Sequence, residues 1–327
     1  MRRWLRHLGI VIGLAATIAV VVHATRTLHQ SDLLQLLTPP ALAGIGVATL
    51  AYSLVIPLSA IAWRRLLIGA GSTYSWSELA TIMGITQLAK YLPGNVGQHV
   101  GRMAMALGRR MPLSTYLPSV LVEALLAAMA AVLVGIACVG LTDIHLAGVP
   151  GPRSLATLCA LAGAVVLLLL SALYLTPKAL QRLSTMAYFR KRTLTLPGGG
   201  ALRFALGIYI VNYVMVGIGI GAMALLAVAT PASDVVLLTG AFALAWVVGF
   251  VTPGAPAGLG VREGVMLAML QLKMAHTDAL LIVMGLRLAT TAGDILCFLV
   301  ALCAQFSATR THHLDPRGNK TSTTDET

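Results

Sequence analysis

Two arginines stand at matching places in an otherwise apolar chain. Arg102 closes the run PGNVGQHVGR (residues 93–102), and Arg262 closes PGAPAGLGVR (253–262), each nine positions after a Pro-Gly start. A guanidinium is permanently charged, and its fork matches a phosphate. At the bilayer centre an arginine costs about 2.5–3.5 kcal/mol on insertion scales, so each needs a partner or a ligand. Two readings stay open. Either the arginines hold an anion, or they pair with buried acids and lock the chain locally. Glu123, Glu263 and Asp294 are the available acids. An acid that holds an arginine until a phosphate displaces it reconciles the two.

Further ionisable residues surround these positions. Lys90 precedes Pro93 by three residues and either lines the same cavity or snorkels to the surface. Arg287 and Asp294 are seven apart, hence on one face of a helix, and read as a bridge to the second Pro-Gly segment. His99, three before Arg102, reads as a hydrogen-bonded packing histidine, with proton coupling as the alternative. Gly258, Gly260 and Gly264 look like a nucleotide loop, but no βαβ unit precedes them; close helix packing accounts for them.

The elements that must position these residues are membrane helices. The chain has 327 residues, 57% hydrophobic and 10% charged, too few charges to cover a water-soluble surface. Leu155–Leu175 contains no charge and is long enough to cross about 30 Å of hydrocarbon. The net charge of +12 collects in short connectors without interleaved aromatics, which points away from nucleic acid and toward orientation in a membrane. Four cysteines, at 138, 159, 297 and 303, lie within apolar spans as small buried hydrophobes. No metal-ligand spacing and no cofactor motif is present.

Six spans are expected at 8–25, 41–63, 116–140, 154–175, 203–229 and 278–304. Two broken segments, 78–110 and 235–272, have arms short for a span and read as re-entrant hairpins. Their turns fall at Pro93, Gly94 and Gly97, and at Pro253, Gly254, Pro256, Gly258 and Gly260. Proline stops the helical ladder and glycine permits the turn. The half-helix after each turn presents free N–H groups and about half a positive charge.

Shifting the chain by 160 residues carries Pro93, Gly94 and Arg102 onto Pro253, Gly254 and Arg262, and most spans onto one another. The expected fold is all-α, two copies of three transmembrane helices plus one hairpin. Residues 1–150 form the first copy, 151–304 the second, and 305–327 a disordered tail. Three crossings are odd, so the copies are inverted. The N-terminal segment is read as a retained span, with both termini cytoplasmic. The basic connector 176–202 suits anionic inner-leaflet lipid.

At KYLPGNVGQHVGR and TPGAPAGLGVREG the chain resembles the membrane domain of the lysylphosphatidylglycerol synthase/flippase family and its stand-alone relatives. The resemblance implies a bacterial inner-membrane protein moving anionic or aminoacylated lipids, or lipid-linked glycan intermediates, between leaflets. It places functional weight on Pro93, Gly94, Arg102, Pro253, Gly258, Gly260, Arg262 and Glu263. The bifunctional members carry a soluble aminoacyl-transferase domain after this region, which this sequence lacks, so lipid aminoacylation is not expected. The expected function is a lipid flippase without enzymatic activity. A membrane phospholipid or a polyprenyl-phosphate-linked molecule is its substrate. The alternatives are a membrane-embedded lipid-modifying enzyme and an accessory subunit of envelope lipid or glycan synthesis.

Overall fold

The computed structural model describes residues 34–91, 97–142, 197–252, 258 and 260–314. The expected spans 8–25 and 154–175, nearly all of the basic connector, and Pro93, Gly94, Pro253, Gly254 and Pro256 lie outside them. Every regular element among the described residues is helical: α1 Pro39–Ser53, α2 Val55–Gly69, α3 Trp76–Thr86, α4 Gly97–Gly108, α5 Leu113–Gly140, α6 Gly199–Val228, α7 Val235–Val251, α8 Val261–Leu270 and α9 His276–Leu314. Short 3-10 turns extend α3 to Tyr91 and precede α7 from Ala232.

Five stretches are long and apolar enough to cross a bilayer: Pro39–Gly69, Leu113–Gly140, Gly199–Val228, Ala232–Val251 and His276–Ser307. Their outward faces are greasy, with Leu50, Ile218 and Val300 exposed. Buried polar residues such as Gln87, Arg102, Glu123, Asn212 and Asp294 face inward. In a lipid solvent that distribution is the stable one. This is a multi-pass membrane protein.

The first stretch bends at Leu54 because Pro57 has no N–H to give the carbonyl of Ser53. Cys297 Sγ donates to that carbonyl instead, at 3.3 Å, tying α9 to the bend. Thr49 and Ser53 side chains donate back to carbonyls four residues earlier (2.8 and 2.7 Å), which favours bending.

Two differences from the sequence reading concern element length. Ala232–Val251 was expected as a short hairpin arm, yet it spans 20 residues, about 30 Å of helix. Nothing charged or prolyl interrupts α7 before Thr252. The arm after it, α8, is indeed short at 10 residues. The tail expected to begin at 305 starts as helix, since α9 runs to Leu314 with its first downstream proline at 316.

The 160-residue repeat reappears in the elements. Adding 160 to 39–69 gives 199–229, against Gly199–Val228; adding it to 76–91 gives 236–251, against Val235–Val251. The packing is reciprocal. Helix α3 packs on α9 while its counterpart α7 packs on α5, and α1 packs on α9 while α6 packs on α5. The equivalent helices also pack on each other, and they run antiparallel. Gln35 donates to the carbonyl of Ala227, Asn212 to Ser59, and Arg65 lies over Phe204. Glycines allow this approach: a Cβ on Gly44 would lie 2.8 Å from Met223 Cα, and one on Gly219 2.7 Å from Ala51 Cβ.

Candidate functional site

A cavity of about 220 Å³ lies between the two halves, and a smaller one of about 40 Å³ adjoins it. Lys90, Arg262, Tyr52, Phe242 and Trp246 border both. Four cations surround this space, and three are matched by acids.

Arg102 projects from α4 toward α5, where it holds Glu123 in a two-point contact of 3.0 and 2.5 Å. Its guanidinium also lies 3.7 Å from the ring centre of Trp63, which is itself fixed by donating to Ser119 Oγ at 3.0 Å. The pair is thus buried between a carboxylate and a π face, both of which stabilise the charge.

Lys90 meets Asp294 at 2.7 Å. Asp294 is completely buried on α9 and also accepts from Gln87 (2.9 Å) and Tyr91 (2.5 Å). Lys90 additionally donates to Tyr52 at 3.1 Å. Three donors on one carboxylate satisfy the lone pairs that burial would otherwise leave costly. Lys90 therefore lines the cavity instead of snorkelling outward.

The third pair is Arg287 with Glu263, at 3.3 Å. Glu263 also reaches back to accept from Gly260 N–H at 2.7 Å. That carboxylate caps the start of α8, so the free N–H expected there is already occupied. Arg287 supplies the expected bridge to the second broken segment. Asp294, one face-repeat further along the same helix, bridges to the first segment instead.

Arg262 is the fourth cation, and among the described residues no carboxylate pairs with it. Its stem threads between Gly249 on α7 and Gly258, where a Cβ would come within 2.5 Å of its Cγ and 2.8 Å of its Nε, respectively. Gly258 has φ +68° and Gly260 φ +77°, conformations that disfavour any side chain there. Its guanidinium lies 5.6 Å from the ring centre of Trp246, which stacks on Phe250 with centroids 5.1 Å apart. Packing thus positions the charge without neutralising it.

His99 differs from its sequence reading: its ring is exposed at the cavity edge, and only its backbone carbonyl is engaged, by Tyr116 Oη at 3.2 Å. Gly97 begins α4. Sequence reasoning passed over Trp63, Trp246, Tyr52, Gly249, Tyr209 and Asn212. Asn212 alone carried a legible signal, as a lone amide within an apolar span. The others look like ordinary core residues until the fold places a cation against them.

The chain matches the family described as lysylphosphatidylglycerol synthase TM region over residues 10–297. It belongs to that family. The match covers most of the length, including all four cations and their partners. No curated protein matches the chain significantly. Within this lysylphosphatidylglycerol synthase TM-region fold, then, the two halves of the chain converge on a cavity that holds a surplus positive charge.

Proposed function

We propose that this protein is a lipid flippase that moves an anionic headgroup through the cavity between its halves while the acyl tails stay in lipid. The observation that carries the reading is Arg262, a positioned guanidinium in the cavity without a carboxylate partner among the described residues. Its charge calls for an anion, and a phosphate matches its geometry. The substrate class is a membrane phospholipid or a polyprenyl-phosphate-linked molecule. Arg102 borders the same cavity and can exchange Glu123 for a phosphate as the headgroup passes.

Transport fits these residues better than lipid chemistry does. General acid–base catalysis needs a carboxylate free to take a proton. Glu123 and Asp294 are each held by a cation and, for Asp294, by further donors. The antiparallel packing of α1–α2 on α6, at the register of the repeat, supports inverted repeats with the two broken segments entering from opposite faces. That plan recurs in transporters and provides alternating access by rocking one half against the other. We place the protein in a bacterial inner membrane, termini inside, with the 176–202 connector against anionic inner-leaflet lipid.

Two experiments test this. Reconstituted in liposomes, the protein is expected to transfer labelled phosphatidylglycerol between leaflets with its mass unchanged; conversion to a new lipid species would establish an enzyme instead. Single cysteines at Thr73 and Ser233 in intact cells should be labelled from the cytoplasm and from outside, respectively. Labelling of both from one side rules out inversion.

A further inference from the structure

Four buried side-chain atoms among the described residues have no hydrogen-bond partner: Arg102 Nε, Arg262 Nε, Tyr209 Oη and Asn212 Oδ1. All four residues line the larger cavity. Buried polar atoms are nearly always partnered, and each orphan costs about 1–3 kcal/mol. Four on one cavity outline the occupant that would satisfy them.

Their chemistry specifies that occupant more narrowly than charge alone. The guanidinium donors require an anion. Asn212 already donates Nδ2 to Ser59 Oγ at 3.1 Å, so the other end of its carboxamide faces the cavity unmet. Tyr209 adds an unmet phenol. A hydroxyl both donates and accepts, so it serves the amide and the phenol alike. A cationic group has nothing to meet: Glu123 is held by Arg102, Asp294 by Lys90 and Glu263 by Arg287, while Arg262 stays uncompensated.

We infer that the cavity selects a phosphodiester headgroup bearing hydroxyls and no ammonium, and rejects aminoacylated or amine-bearing lipids. The inference rests on the flippase reading for the site and sharpens its substrate class. It separates this chain from the lysyl-bearing lipid in its family's description.

The test is binding to the purified full chain in nanodiscs by native mass spectrometry. The probes are phosphatidylglycerol, phosphatidylmethanol (the same phosphodiester without hydroxyls), lysylphosphatidylglycerol and free glycerol phosphate. Phosphatidylglycerol is expected to bind about tenfold or more tightly than phosphatidylmethanol and lysylphosphatidylglycerol, the size of one to two hydrogen bonds. Tyr209→Phe, which keeps the ring, should erase most of the preference over phosphatidylmethanol. Asn212→Leu should do the same where it folds. Equal binding of all three lipids overturns the inference and leaves the flippase reading standing, as does a preference that survives both substitutions. Binding of glycerol phosphate as tight as the lipid, or of no anionic lipid at all, overturns both.

Discussion

Glu123→Ala should cost about 3–5 kcal/mol of stability, the range for removing one partner of a buried ion pair. Arg102 is only 4% exposed and cannot shed its charge or follow it to water. Trp63 remains against one face of the guanidinium, but a π face supplies only about 2 kcal/mol even when desolvated. Such a loss is comparable to the whole stability of many domains. The measurement is a thermal or denaturant melt of the detergent-solubilised protein. The double substitution Arg102→Leu with Glu123→Leu should recover much of the loss, because it leaves no orphaned charge. A single substitution that melts like the parent would show that water or lipid phosphate already reaches this pair.

Arg262→Gln should give the opposite balance. Transport in liposomes is expected to fall about tenfold to a hundredfold, matching loss of a charge-assisted bond of about 1.5–3 kcal/mol. The melting temperature should stay level or rise, because the change removes a charge that has no carboxylate of its own to leave behind. Function that costs stability is common at binding sites. Gly249→Val supplies a second route to the same result. A Cβ at 249 would stand 2.5 Å from Arg262 Cγ, so the side chain must leave its slot. Gly264→Ala, which meets nothing within 4 Å, is the control for a glycine change in the same segment. Unimpaired transport by Arg262→Gln removes Arg262 from the mechanism.

Much of the architecture was legible in the residues. Apolar runs near 20 residues, and two Pro-Gly-opened segments ending in arginine, announce membrane helices with two interrupted elements. The repeat was legible because both halves preserve element lengths at one offset. Helix ends were less so: α7 runs longer than a hairpin arm needs because no residue in it stops a helix. Lys90 was undecided in the sequence, since a lysine three residues from a turn reaches either water or the interior, and only the position of Asp294 on α9 selects the latter.

From its residues alone, the chain is a polytopic membrane protein with two related halves and a handful of ionisable groups too costly to be there without purpose. Hydrocarbon imposes that: it tolerates helices and penalises charge, so length, apolarity and the placement of cations are readable one residue at a time. Which acid takes which cation is a different matter. Lys90 and Asp294 are 204 residues apart in sequence and 2.7 Å apart in space. Only the packing of one half on the other matches three of the cations with acids and leaves Arg262 facing the cavity, because a pairing depends on distances between helices that no local pattern encodes.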